Sequence, residues 1–315
     1  GIYEAIMSTA ALAESAVQIA YVGPSVATNA SDGMNCLNAE APSSWSVGKC
    51  VLWGEPHIKT FDYKEGSPVV DILAVGDYWL VRSEKISIQG RYRETQWTNG
   101  AAATSAIAIG GAFLQGHKLI VESMAGEAFW DGETILDTLP AEFSVEGVVQ
   151  ATFHQGVAGS LLDPSYALSD VKVVDLELPL GVRVSVNRWA QHVDVMITMR
   201  QQSGGQDGHC GNFNGDAADD TAEQIKQRMG EQVLAADLLF PEADPVEGTT
   251  RAPVTLDDCP ADERERAEEL CKESQLKETC IFDVCFGGEE FAGADAVMDE
   301  ELGGQAKEAA SLSKQ

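Results

Sequence analysis

GVRVSVNRWAQHVDVMITM, residues 181–199, sets apolar residues two apart on both sides of a short polar stretch. Val182, Val184 and Val186 alternate with Arg183, Ser185 and Asn187, and Val193, Val195 and Ile197 resume the alternation beyond Asn187–Gln191. Side chains two apart share one face of a strand, so the spacing predicts a hairpin with a single inward face. Similar short runs occur on its N-terminal side: DYWLVRS (77–83), KISIQGRYR (85–93), SAIAIGG (105–111), HKLIVES (117–123) and VKVVDLEL (171–178). Many short strands, frequent glycine breaks and no helical pattern between residues 50 and 200 predict a mainly β fold, an antiparallel sandwich or barrel.

The flanks read differently. AIMSTAALAESAVQIAYVG (5–23) is alanine-rich, carries Glu14 and has no basic lead. It fits neither a signal peptide nor a spanning helix, and predicts a helical lead followed by a linker up to residue 47. After Asp220, TAEQIKQRMGEQVLAADLLF reads as a helix broken or kinked near Gly230, and ADERERAEELCKESQLKE (261–278) as a second helix. Residues 241–315 carry 20 acidic residues against 7 basic ones. Segment 241–300 therefore reads as an acidic, cysteine-containing α-helical segment, and 301–315 as a flexible tail.

The formal net charge of the whole chain is −29. That excess disfavours nucleic acid and anionic membranes as partners and suits divalent cations. Seven cysteines, at 36, 50, 210, 259, 271, 280 and 285, form no CxxC pair and no Cys/His zinc knuckle. Four within 259–285 suggest local disulfides and an oxidising compartment. Their connectivity is open, and Cys36 is either a leftover, hence a candidate for an interchain bond, or a partner of one of the four. Asn29-Ala30-Ser31 is a glycosylation sequon if the chain is secreted.

HCGNFNGDAADD (209–220) gathers small oxygen-bearing side chains beside a cysteine. Ca²⁺ takes six to eight hard oxygen ligands in flexible geometry, and this loop offers such oxygens. An EF-hand is excluded, because Ala217 stands where that loop needs glycine and no helix precedes it. Asp220 has a competing role as a helix N-cap, with Glu223 completing a capping box. The histidines at 57, 117, 154, 192 and 209 are scattered, and no GxSxG, HExxH or phosphate loop occurs, so no enzyme is expected. The one catalytic alternative is a Cys210/His57 pair.

Taken in order, CVLWGEPHIKTFDY (50–63), GDYWLVRS (76–83) and HCGNFNGDAADD resemble the von Willebrand factor type D domain over roughly residues 48–240. That family opens on Cys-x-x-x-Gly-Asp-Pro-His-x-x-Thr-Phe-Asp-Gly and closes on Cys-Gly-Asn-x-Asn-Gly-Asp. LCKESQLKETCIFDVCFGG (270–288) is similar to the cysteine-rich segment that follows such domains. The resemblance implies an antiparallel β-sandwich and a Cys50–Cys210 disulfide. It also implies a Ca²⁺ site of Asp62, Asn212, Asn214, Asp219 and Asp220, completed by backbone carbonyls near Ala217. The sequence departs from the family at Glu55 and Tyr63 and lacks a CxxC before the loop. Self-cleavage at residues 54–57 and disulfide-exchange chemistry are therefore not expected.

The expected function is a calcium-binding, disulfide-stabilised extracellular module, structural or adhesive, that assembles with other subunits or with itself into a fibre, matrix or surface complex. Its expected partners are proteins, with no nucleic acid and no membrane insertion. Alternatives are a secreted enzyme of the luciferase kind that carries such a domain, and an accessory subunit docked on a larger complex in an oxidising lumen.

Overall fold

A computed structural model describes the backbone of residues 2–6 and 18–23. It describes fully residues 47–241 (apart from 55, 65–66, 68, 73, 96–101 and 157–170), 256–274 and 277–286. The chain divides into two compact units, Gly1–Ser46 and Val47–Gln315.

In the first unit, β1 (Ile2–Ile6) and β2 (Gln18–Gly23) pair antiparallel, with Tyr3 opposite Tyr21. The helical lead is therefore corrected for these residues. IYEAI and QIAYVG are rich in β-branched and aromatic residues, which favour strand over helix. The alanine-rich middle, residues 7–17, lies outside the described residues, as do Asn29 and Cys36.

The second unit is mainly β, built on two antiparallel sheets. The eight-stranded sheet is formed by β3 (Val47–Trp53), β4 (His57–Lys59), β5 (Val70–Asp71), β12 (Ala141–Val145), β13 (Val149–Gln155), β14 (Lys172–Glu177), β15 (Arg183–Arg188) and β16 (Val193–Arg200). Its order is β12-β13-β14-β15-β16-β3-β4-β5. The seven-stranded sheet is formed by β6 (Gly76–Ser83), β7 (Ser87–Glu94), β8 (Ala102–Gly110), β9 (Leu119–Glu122), β10 (Ala128–Trp130), β11 (Glu133–Ile135) and β17 (Gln206–Asp207). Its order is β11-β10-β9-β8-β7-β6-β17.

The hairpin read at 181–199 is β15–β16, with Val184 opposite Ile197 and Val186 opposite Val195, and all four are buried. Both sheets feed one hydrophobic cluster, which includes Leu52, Ile58, Val184 and Ile197 from the first and Leu80, Ile88 and Ile107 from the second. Arg188 ties the sheets together. Its buried guanidinium donates to the carbonyls of Glu122 (2.7 Å), Ser123 (3.0 Å) and Gly126 (3.0 Å) and lies over the Phe153 ring.

Three helices follow among the described residues: α1 (Ala222–Met229), α2 (Ala261–Leu270) and α3 (Lys277–Phe286). The helix break expected near Gly230 is present, with φ 83° there. Beyond it only a 3₁₀ turn forms, at Ala235–Asp237. The helix expected over 261–278 is corrected: α2 stops at Leu270, a turn follows at Cys271, and the next helix, α3, begins at Lys277. The cause is covalent. Cys271–Cys280 and Cys259–Cys285 bonds fold α3 back against α2, which one continuous helix could not do. Cys50 is bonded to Cys210, with Cα atoms 5.5 Å apart. Six of the seven cysteines are thus paired.

Candidate functional site

The 209–220 loop is fixed from several directions. Cys210 joins it to β3, and its backbone N–H donates to the Leu80 carbonyl of β6 (3.0 Å). Phe61 N–H donates to the Cys210 carbonyl at 2.9 Å. Phe213 takes a left-handed conformation (φ 54°), and its ring stacks on Phe61 at 4.9 Å. Burying the ring of Phe213 outweighs the cost of that backbone strain and leaves Asn212 and Asn214 on the solvent side.

Asp62 stands across this loop. Its Oδ2 accepts from Asn214 N–H (2.8 Å) and its Oδ1 from Gly215 N–H (2.9 Å). The amides of Asn212 and Asn214 both donate to Asp219 Oδ2, at 3.0 and 2.8 Å. Asp220 Oδ1 accepts from Asn212 N–H at 3.2 Å. All five residues singled out by sequence therefore meet in one network. Asp219 Oδ1 and Asp220 Oδ2 are buried with no donor at good hydrogen-bond geometry, although the Thr60 hydroxyl also acts on the Asp220 carboxylate. Among the described residues, no group of three His, Cys, Asp or Glu side chains is placed to hold a metal ion.

The electrostatics are unfavourable to the carboxylates. Burial raises the pKa of Asp62, against the pull of the Gly215 and Asn214 N–H groups, and repulsion from Asp219 adds to the rise. Burial likewise raises Asp220, with repulsion from Asp62 and Asp219, against Asn212 N–H and the Thr60 hydroxyl. A cation bound among them would relieve both costs.

The helix-cap alternative for Asp220 is overturned. Thr221 caps α1, its hydroxyl accepting from Gln224 N–H, so the pair is Thr221/Gln224 and not Asp220/Glu223. Asp220 instead points back under Gly211, where a Cβ would lie 2.0 Å from its Oδ2. The Cys210/His57 pair is also overturned. Cys210 carries no thiol, and the two ring nitrogens of His57 face Asp71 and Asp283.

Two basic residues frame the loop that sequence reading had not singled out. Arg228 donates to the Asp219 carbonyl (2.6 Å), to Asp220 Oδ1 (3.2 Å) and to both oxygens of Asp207. Lys64 donates to the Gly215 carbonyl at 3.0 Å. Arg228 lies eight residues after Asp220, about two helical turns, and that spacing is its one sequence signal. Comparison with protein-family models gives no match, and no curated protein matches the chain.

Proposed function

We propose that residues 48–240 form a calcium-binding module of the von Willebrand factor type D kind, a disulfide-stabilised β-sandwich that serves as a structural part of a larger extracellular or lumenal assembly. The observation that carries this reading is the pair of buried carboxylate oxygens, Asp219 Oδ1 and Asp220 Oδ2, left without a donor at good hydrogen-bond geometry in a loop fastened to Asp62. Buried charged oxygens are costly unless paired or bound to a metal. Asp62, Asp219 and Asp220 would have to draw together to hold the ion, since no three such side chains among the described residues stand in that position. Asn212 and Asn214 would contribute through the lone pairs that their side-chain oxygens keep beside one accepted N–H each. The ion would neutralise the three carboxylates and so lock the loop onto the first strands. Three disulfides support an oxidising location, and no described helix is long and apolar enough to cross a membrane. The net charge of −29 supports cation-dependent assembly with other subunits or further copies.

The test is calorimetric titration of the EGTA-stripped protein with CaCl₂, with thermal melting before and after. Saturable binding should raise the melting temperature, and Asp219→Asn/Asp220→Asn should abolish both effects. A silent titration with unchanged melting refutes the reading. Sedimentation in the same two states reports whether calcium drives association.

A further inference from the structure

A second collection of buried ionisable groups lies where α3 meets the β3–β4 corner. Residues 256–286 are cross-linked to themselves by Cys259–Cys285 and Cys271–Cys280. They bury their own cluster, which includes Ala267, Ile281, Val284 and Phe286, apart from the core of the sheets. Among the described residues no disulfide joins this unit to the β region. Its grip on the sheet centres on Asp283, which is fully buried.

Asp283 Oδ1 lies 2.7 Å from His57 Nε2, and the Phe282 ring meets His57 edge-on at 6.3 Å. The other nitrogen, His57 Nδ1, lies 2.7 Å from Asp71 Oδ1 of β5. The approach is close enough that a Cβ on Gly54 would fall 2.4 Å from Asp283 Oδ2. On β16, Asp194 accepts from Trp189 Nε1 (2.5 Å) and Gly54 N–H (3.3 Å), with His192 Nε2 at 3.9 Å. Lys59 shares the His57 face of β4 and lies over the Tyr63 and Trp53 rings.

A neutral imidazole has one N–H, and only the imidazolium can donate to two carboxylates at once. We propose that residues 256–286 are a proton-dependent latch: protonated His57 clasps Asp283 and holds the disulfide-stapled unit on the sheet, and loss of that proton releases the unit while both parts stay folded. Burial works against the charge on His57, but Asp283 and Asp71 outweigh it, and its pKa stands well above the ordinary histidine value. The latch is therefore closed below the ordinary value and opens as pH rises through the raised one. Asp194 reinforces the opening. Burial, with a contribution from Asp283, pushes its pKa up to about 7, so it adds a buried negative charge beside Asp283 on the alkaline side.

Hydrogen exchange of the full chain, read by mass spectrometry from acidic to alkaline pH and corrected for intrinsic exchange, tests this. The reference is β15 and β16 in the same molecule. Above the ordinary histidine value, protection of Lys277–Phe286 relative to the reference should fall with a limiting slope of roughly tenfold per pH unit until His57 has lost its proton. His57→Gln should give low protection at every pH with the reference intact, and Asp194→Asn should keep the titration. The His57 ring resonances of the unmutated protein should titrate with the same midpoint. Protection that tracks the reference strands across the range, a titration that survives His57→Gln, or a ring midpoint that does not coincide with the loss of protection overturns the proposal.

Discussion

Gly211→Ala and Gly215→Ala place the same methyl group at two left-handed positions of one loop and should differ severalfold in cost. Gly211 has φ +81° and Gly215 φ +92°. Either substitution forces an L-residue into left-handed backbone, at about 1–2 kcal/mol. At 215 nothing lies within 4 Å of the new Cβ, so the cost should stop there. At 211 the Cβ would sit 2.0 Å from Asp220 Oδ2 and 2.5 Å from its Cγ. Asp220 must move, although it is buried, accepts from Asn212 N–H and pairs with Arg228 at 3.2 Å. Losing one hydrogen bond to a charged group adds about 1.5–3 kcal/mol, for a total of about 3–5 kcal/mol. In a unit of this size 1 kcal/mol moves the melting temperature by about 2–4 °C, so Gly211→Ala should fall by about 10–15 °C and Gly215→Ala by about 5 °C. Urea unfolding followed by circular dichroism gives the free energies directly. If the proposed calcium site is right, Gly211→Ala should also lose most of the calcium-dependent increment while Gly215→Ala keeps it. Equal costs for the two variants would refute the placement of Asp220 beneath Gly211.

Stability should peak near neutrality. Burial holds His209 down to about 3 and His192 to about 4, so between about pH 4 and 6.5 the unfolded chain binds two protons that the fold refuses. Over the same range Asp194, raised to about 7, keeps one proton in the fold that the unfolded chain has released. Among these three groups the net is one proton, which by itself makes stability rise by about 1.4 kcal/mol per pH unit up to about 6.5, less what Asp62 and Asp220, also raised by burial, offset at the acid end. Above that, folded His57 keeps a proton the unfolded chain has lost, and stability declines. A urea midpoint that stays flat across this span contradicts the assignment. Arg188→Met strips donors from three carbonyls and should cost about 3–6 kcal/mol in urea unfolding. Arg188→Lys should not restore it, because a single ammonium cannot reproduce the fork. A loss under about 1 kcal/mol in Arg188→Met would mean that water or neighbouring groups replace the guanidinium.

Some of this was legible in the residues and some was not. The 183–200 hairpin was readable because Val184, Val186, Val195 and Ile197 share one face at period two. The loop residues were readable because short oxygen-bearing side chains crowded around two glycines signal a constrained polar turn. At the N-terminus the alanine-rich middle suggested helix, yet β-branched and aromatic residues at its two ends pair as strands. α3 went unread because Cys280, Ile281, Val284, Cys285 and Phe286 form an almost continuous apolar run, in which helical periodicity disappears. Thr221, one residue past Asp220, was the better cap because its hydroxyl reaches Gln224 N–H.

The sequence by itself determined the β class, the crowding of oxygens at 209–220 and the presence of cysteines for local cross-links. These are properties of neighbouring residues, set by side-chain period and by composition. Only the tertiary structure decided that Cys259 bonds to Cys285 and Cys271 to Cys280, that Arg188 holds two sheets together, and that His57 meets Asp283 across 226 positions of chain. Such contacts depend on which strand lies beside which, and the free energy that selects that order comes from burying both sheets in one core, not from any local pattern.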